Sequence, residues 1–379
     1  MKKLRIAVLS SNLLRTPPEA NFVPKGFSGA PEKIMYWITE EMVKKGHDVT
    51  LFASGDSSTS AKLIAVSNKA SSLDEEIGAV NHVEMEHLLI SKCYKMAKLG
   101  EFDLIHSIFD TRSAYYAGLV NVPTISTLHS PLEGIKKIVL SKLPDSQYYV
   151  SISNAQRKLL PELNYVSTIY HGIDLQTFAF SQSDSGGMIF VGRVIPSKGV
   201  AEAVSIANKL KKKLYILGDY GLEHEEYWKK SILPFIDNKI ITHAGFLNPE
   251  ELLKYYQEAK LFLFPIQWEE PFGLVMIESM ASGTPVVAFA RGSVPEVVKD
   301  GETGFIVNST DEDKRGDFII KKTGIEGLCE AVERIYAMPP DEYKKMRLAC
   351  RKHVEENFTI EKMVEGYERV YEKVIGYNK

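Results

Sequence analysis

Short apolar runs rich in β-branched residues recur along this chain, separated by segments with helical periodicity. In the first half, "IAVLSS" (6–11), "DVTLFAS" (48–54), "DLIHSIF" (103–109), "TISTLHS" (124–130) and "YYVSIS" (148–153) read as strands. Between them, "PEKIMYWITEEMVKKG" (31–46) spaces its apolar residues as a helix does and stops at Gly46, a fitting C-terminal cap. The pattern restarts with "MIFVGR" (188–193), "KLYILGD" (213–219), "KIITHAG" (239–245), "KLFLFPI" (260–266), "PVVAFA" (285–290) and "GFIV" (304–307). Strands that are apolar throughout, alternating with helices, belong to parallel sheets covered on both faces. Two such series predict two doubly wound α/β domains. Glycine, serine and aspartate replace the periodic pattern over 172–187, so the boundary is expected there. The tail "FTIEKMVEGYERVYEKVIGYNK" (358–379) brings Met363, Tyr367, Val370 and Val374 near one face of a helix that must pack on a domain.

Composition narrows the class. A chain of 379 residues exceeds the size at which one hydrophobic core stops growing. Hydrophobic content of 44% and charged content of 25% are those of an ordinary soluble protein. A formal net charge of −3 gives no electrostatic case for a nucleic-acid partner. Cys93, Cys329 and Cys350 lie far apart, which points away from zinc or redox motifs and fits a reducing cytoplasm. The opening "MKKLRIAVLSS" is not read as a signal peptide, because Arg5 interrupts it, its apolar stretch is too short and no small-residue cleavage site follows; "RIAVLSS" (5–11) reads as a first buried strand. No apolar run approaches the roughly 18 residues of a membrane span.

The segment "EEPFGLVMIESMASGTPVVAF" (269–289) places two acids against the local pattern. Glu270 sits beside a proline just before an apolar run, and Glu278 is the only charge inside that run. Burying even a neutral polar group without a partner costs about 2–7 kcal/mol. Gly283 followed by "TPVV" stops the helix, which is expected from about Phe272 to Ser282. Around Phe272, Gly273 and Leu274, such a helix offers free backbone amides and the positive end of its dipole. A ligand with an anionic centre flanked by hydroxyls would satisfy both acids and the amides; otherwise Glu270 is a surface acid and Glu278 pairs with a lysine. Upstream, "FVGRVIPSKG" (190–199) sets Arg193 and Lys198 at the C-terminal end of a strand, where doubly wound folds bind ligands. Two cations there suit a diphosphate, although each alone reads as a solvated charge. The run "NKLKKKL" (208–214) is a solvated helix end.

Taken in order, "GRVIPSKG", "EEPFGLVMIESMASGTPVVA" and "GSVPEVVKDGETGFIV" are similar to glycosyltransferase family 4, retaining enzymes of the GT-B fold with two Rossmann-like domains facing a cleft. "SGAPEKIMYWITEEMVKKGHDVTLFA" resembles that family's glycine-rich first loop and helix, and "HGID" its interdomain crossing. The closing helix resembles the one that returns to the N-terminal domain. The resemblance thus implies residues 1–172 with 358–379 on the acceptor side and 173–357 on the donor side. It also implies metal-independent, cofactor-free transfer of a hexosyl group from a nucleoside-diphosphate sugar, with a UDP-sugar favoured, to a sugar, glycolipid or small-molecule acceptor.

By position, the resemblance places Glu270 on hydroxyls of the transferred sugar and Glu278 on the ribose, with Arg193 and Lys198 on the diphosphate. The amides of Gly273 and Leu274, after Phe272, would assist at phosphate and sugar. Gly29 would let the first loop approach the β-phosphate, and Phe246 and Leu247 would frame the base. His129, in "TLHS", resembles the histidine that faces the donor sugar, and a core histidine at a strand end is the plainer alternative. The stretch "LEGIKKIVLSKL" (132–143), with Lys136, Lys137 and Lys142, reads first as a solvated face or acceptor wall and second as a weak membrane contact. Ala30 (followed by Pro31) and Ser293 stand where the family commonly has glycine, which bears on rate and donor shape rather than on reaction class. A nicotinamide oxidoreductase would need G-x-G-x-x-G after the first strand, where "LSSNLLRTPPEA" stands. A nucleotide-sugar epimerase of the same fold and a non-catalytic nucleotide- or carbohydrate-binding subunit are the alternatives to a transferase.

Overall fold

The structure is a computed structural model that describes residues 3–19, 23, 29–182 and 186–377. The chain divides into two compact units, Met1–Gly172 with Ile360–Lys379, and Ile173–Thr359. Residues 183–185 of the expected boundary segment and the last two residues of the tail lie outside the described residues. The return to the first unit comes after Thr359, not before Phe358 as the sequence suggests. Ile173 pairs with Thr359 in an isolated bridge, and the Phe358 ring packs on Phe272 with centroids 5.9 Å apart, so both residues stay with the second unit.

In the first unit the strands are β1 (Arg5–Leu9), β2 (Asp48–Phe52), β3 (Lys62–Ile64), β4 (Leu104–Ser107), β5 (Thr124–Thr127), β6 (Tyr148–Ser151) and β7 (Tyr165–Thr168). They lie in the order β3-β2-β1-β4-β5-β6-β7. The second unit has β8 (Met188–Val191), β9 (Leu214–Leu217), β10 (Ile241–Gly245), β11 (Leu261–Phe264), β12 (Val286–Phe289) and β13 (Gly304–Val307), in the order β10-β9-β8-β11-β12-β13. Every pairing between these strands is parallel. Central strands such as β4, β5, β8, β11 and β12 are buried along their whole length, which is why their sequences are apolar without alternation.

The helix Ile360–Tyr377 packs on the first unit through Met363, Val364, Tyr367, Val370, Tyr371 and Val374. Its hold on the sheet is polar as well as apolar. Buried His106 on β4 has Nδ1 2.6 Å from the Tyr371 hydroxyl and Nε2 2.8 Å from Thr127 Oγ1, and Thr127 in turn meets the Tyr367 hydroxyl at 2.9 Å. Among the described residues no helix is long and apolar enough to cross a membrane.

Candidate active site

The second sheet reverses between β8 and β11: from that pair, one series runs out to β9 and β10 and the other to β12 and β13. Loops leaving the C-terminal ends of two such strands diverge and open a crevice. Lys198 comes from the β8 loop, where Pro196–Lys198 form one 3-10 turn closed by Gly199. A Cβ on Gly199 would stand 1.8 Å from the Pro265 carbonyl oxygen, so only glycine lets the β8 and β11 loops touch. Gln267 N–H then donates to the Ser197 carbonyl at 2.9 Å, and Lys198 Nζ reaches Glu270 Oε2 at 2.6 Å.

Glu270 is 8% exposed, so its charge needs a partner nearby. Trp268 Nε1–H donates to the same Oε2 at 2.8 Å, and Lys198 Nζ lies 4.7 Å from the centre of the Trp268 ring. Adjacent Glu269 is engaged elsewhere. It accepts from the Gly292 N–H at 2.8 Å and from Arg291 and Arg315 at 3.3 and 2.6 Å, which ties down the loops after β12 and β13.

The helix behind these loops runs Leu274–Ala281, two residues later at its start than the sequence suggests and one shorter at its end. Gly273 sits in the left-handed region at φ 78°, so right-handed helix begins only after it. Ser293 Oγ donates to the Phe272 carbonyl at 2.7 Å and Ser293 N–H to the Glu270 carbonyl at 2.9 Å. The Ser293 side chain therefore adds a bond that holds the approach to this helix. Its first amides, those of Leu274 and Val275, lie at the positive end of the helix dipole, while the Met276 N–H donates to the Gly273 carbonyl at 2.9 Å. At the far end, Arg351 donates to the Ala281 carbonyl at 3.2 Å. Arg347 is 1% exposed and donates to the carbonyls of Ser181, Gln257 and Ala259, fixing the helix Pro340–Asn357 behind the site.

Glu278 is half-buried, not the enclosed carboxylate that the apolar run suggests. It shares its side of the helix with Leu274 and Val275, while Met276, Ile277 and Met280 face the core. The Tyr256 hydroxyl donates to its Oε2 at 3.0 Å. Burial, and then the Glu278 charge, push the Tyr256 hydroxyl well above its usual pKa and keep it a donor. Half-buried Arg193 stands in the same β8 loop as Lys198. Phe246, 54% exposed, and half-buried Leu247 follow β10 on the same C-terminal edge, two strands from β8.

Gly29 and His129 belong to the first unit. Gly29, at φ 63°, precedes the helix Ala30–Lys44, and a Cβ there would meet Pro18 at 2.9 Å. Ala30 begins that helix, so its methyl falls in the first turn. His129 follows β5 and stacks on His171 with ring centroids 5.3 Å apart. Its Nε2 is buried and has no hydrogen-bond partner among the described residues. Burial first, then His171, His106 and Lys136, hold its pKa well below the usual value, so the ring is neutral at pH 7. In the basic stretch, the helix Gly134–Leu140 turns Lys136 onto Asp110 at 2.7 Å and leaves Ile135 and Ile138 exposed.

The structure thus brings Lys198 and Glu270 into contact at the switch point, and Gly273 and Leu274 follow Glu270 closely in the chain. Trp268 and Tyr256, which hold the two acids, belong to no recognisable motif. The family model for glycosyl transferases group 1 matches residues 178–346, and that for glycosyltransferase family 4 matches residues 32–177. The chain belongs to the family-4 glycosyltransferases.

This glycosyltransferase is 24% identical over 369 residues to the D-inositol 3-phosphate glycosyltransferase of Mycolicibacterium smegmatis, covering 81% of this chain and 80% of that protein. It is 23% identical over 292 residues to the uncharacterized glycosyltransferase MJ1178 of Methanocaldococcus jannaschii, covering 72% and 76%. Among solved structures, sucrose-phosphate synthase from Thermosynechococcus elongatus is similar with a TM-score of 0.77 at 19% identity, over 99% of this chain and 100% of that one. Anabaena Alr3699/HepE, solved with UDP and glucose, is similar with a TM-score of 0.72 at 16% identity, over 98% and 100%. The fold is GT-B, with two Rossmann-like parallel-sheet units, and the activity is glycosyl transfer.

Proposed function

We propose that this glycosyltransferase moves a hexosyl group from a nucleoside-diphosphate sugar, a UDP-sugar foremost, to an acceptor hydroxyl with retention and without a metal ion. One observation carries the proposal: a cation, Lys198, and a largely buried carboxylate, Glu270, meet beside a helix N-terminus at the sheet's switch point. Lys198, Arg193 and the amides of Gly273 and Leu274 balance the charge of the diphosphate. Glu270 accepts hydrogen bonds from hydroxyls of the transferred sugar, and Glu278, held by Tyr256, accepts from the ribose. Phe246 and Leu247 frame the base, and the positive-φ turn at Gly29 admits the phosphate closely. UDP bound to Anabaena Alr3699/HepE supports uracil as the base. The acceptor is a hydroxyl-bearing sugar, glycolipid or small molecule. Three free, buried cysteines support a reducing, cytoplasmic setting.

The chemistry follows from which groups can take a proton. Inversion needs a general base to deprotonate the acceptor from the face opposite the leaving group. His129, the candidate base that the family resemblance offers, is kept neutral by burial at a cost to its basicity, while its unpartnered Nε2 suits a hydrogen bond to a sugar hydroxyl. In the same-face route, the bond from the anomeric carbon to the phosphate oxygen breaks. The acceptor oxygen bonds to that carbon from the same side, and its proton passes to the departing phosphate oxygen. Positive charge fixed on the leaving-group side stabilises the diphosphate as it departs.

A hydrolysis screen across UDP-, GDP- and ADP-sugars, run with EDTA and without acceptor, tests the proposal. Slow release of free sugar and nucleoside diphosphate from one donor class, undiminished by EDTA, is the expected result. A strict requirement for magnesium or manganese would contradict the assigned charge balance. Interconversion of the donor's sugar would show an epimerase, and binding without turnover a non-catalytic subunit.

A further inference from the structure

We infer that Trp268 is the positioning residue that holds Glu270 in place when Lys198 turns to the diphosphate; the inference rests on the donor-site reading above. Both donors described for the Glu270 carboxylate converge on one oxygen, Oε2: Lys198 Nζ at 2.6 Å and Trp268 Nε1–H at 2.8 Å. The two donors differ in what else they can do. Lys198 is a flexible point charge on a four-carbon stem, free to reorient toward a stronger anion. Trp268 is a rigid ring two residues before Glu270 in the chain, and its single N–H serves only as a donor. A diphosphate that draws Lys198 away would leave Oε2 with the indole bond alone.

That remaining bond fixes the rotation of the carboxylate, so Oε1 keeps its direction toward a sugar hydroxyl. The same ring gives Lys198 a resting surface. Lys198 Nζ stands 4.7 Å from the Trp268 centroid and 5.8 Å from that of Phe264, both within the range in which a cation is attracted to a ring face. Trp268 therefore meets both charges, the carboxylate at its N–H and the ammonium at its face. Since Glu270 is nine-tenths buried, water offers it little substitute for a lost donor.

Trp268→Phe keeps an aromatic face under Lys198 and deletes only the N–H. Turnover should fall about tenfold or more, the size expected for one hydrogen bond to a charged group. Affinity for the nucleoside diphosphate, which has no sugar, should stay within about twofold, which also shows that the variant is folded. A second comparison separates positioning from general structural damage. Donor analogues lacking one sugar hydroxyl should lose rate with the native protein, and the loss at the hydroxyl bound by Glu270 should shrink in Trp268→Phe. Native-like turnover in Trp268→Phe alongside a crippled Glu270→Gln would overturn the inference and leave the donor-site reading standing. Undiminished turnover in Glu270→Gln would overturn that reading and this inference with it. A Trp268→Phe variant that loses turnover and nucleotide affinity together would also overturn it, since the ring would then serve the fold rather than the carboxylate.

Discussion

Glu270 shares one oxygen between an ammonium and an indole N–H, whereas Glu278, on a half-buried helix face, accepts from the Tyr256 hydroxyl. Their proposed contacts differ in the same way, to the reacting sugar for the first and to the ribose for the second. Ribose contacts are made equally in ground and transition states and contribute uniform binding, while contacts to the sugar strengthen as its anomeric carbon becomes positive. Glu278→Gln should therefore weaken nucleoside-diphosphate affinity about tenfold with little change in turnover. Glu270→Gln should lower turnover by roughly 10²–10³ while affinity for the sugar-free nucleotide holds. Titration calorimetry and steady-state kinetics on both variants check this, and equal losses of affinity would mean the roles are misassigned. The acids and cations themselves were legible because they break an apolar pattern or end a strand. Their holders were not: Trp268 lies in a loop without periodicity, and Tyr256 stands 22 positions from Glu278.

At the scale of elements, central strands announce themselves and the edge strands of the first sheet do not. The runs at β4, β5, β8, β11 and β12 are buried on both faces and so are apolar throughout. By contrast β3 and β7 are the two edges of the first sheet, only partly buried, and their short sequences give no continuous run to detect. The closing helix was visible from its apolar face, but its anchor was hidden, because His106 meets Tyr371 across 265 positions. Burial pushes His106 down to about 3, against an ordinary value of about 6.5. Below pH 6.5 the unfolded chain takes up the proton that the folded chain refuses. The contribution of a neutral His106 is thus whole above pH 6.5 and is lost progressively as pH falls toward 3. Replacing it with glutamine should lower stability at pH 7. It should also flatten the fall of unfolding free energy between pH 6 and 4.5 by about 1.4 kcal/mol per pH unit. Denaturant titrations at several pH values measure that slope, and an unchanged slope would mean His106 is protonated in the folded state as well.

For the whole molecule, two parallel sheets built on the order 3-2-1-4-5-6, the first with a seventh strand at its edge, place the ends of their strands where ligands bind in such folds, and the second carries the charged cluster at its switch point. The division into two units was legible because the strand-helix pattern visibly restarts at Met188; the return at Thr359 was not, because it depends on a ring contact between Phe358 and Phe272. Arg193, Lys198 and the helix amides are all assigned to one side, that of the leaving group, and no carboxylate is assigned to the opposite face. The account therefore stands or falls on stereochemistry. Proton NMR of the first-formed product, in EDTA and with the donor that the hydrolysis screen identifies, measures it directly. An α-linked product from an α-linked donor is the expected result, and a β-linked one would contradict same-face transfer at this site.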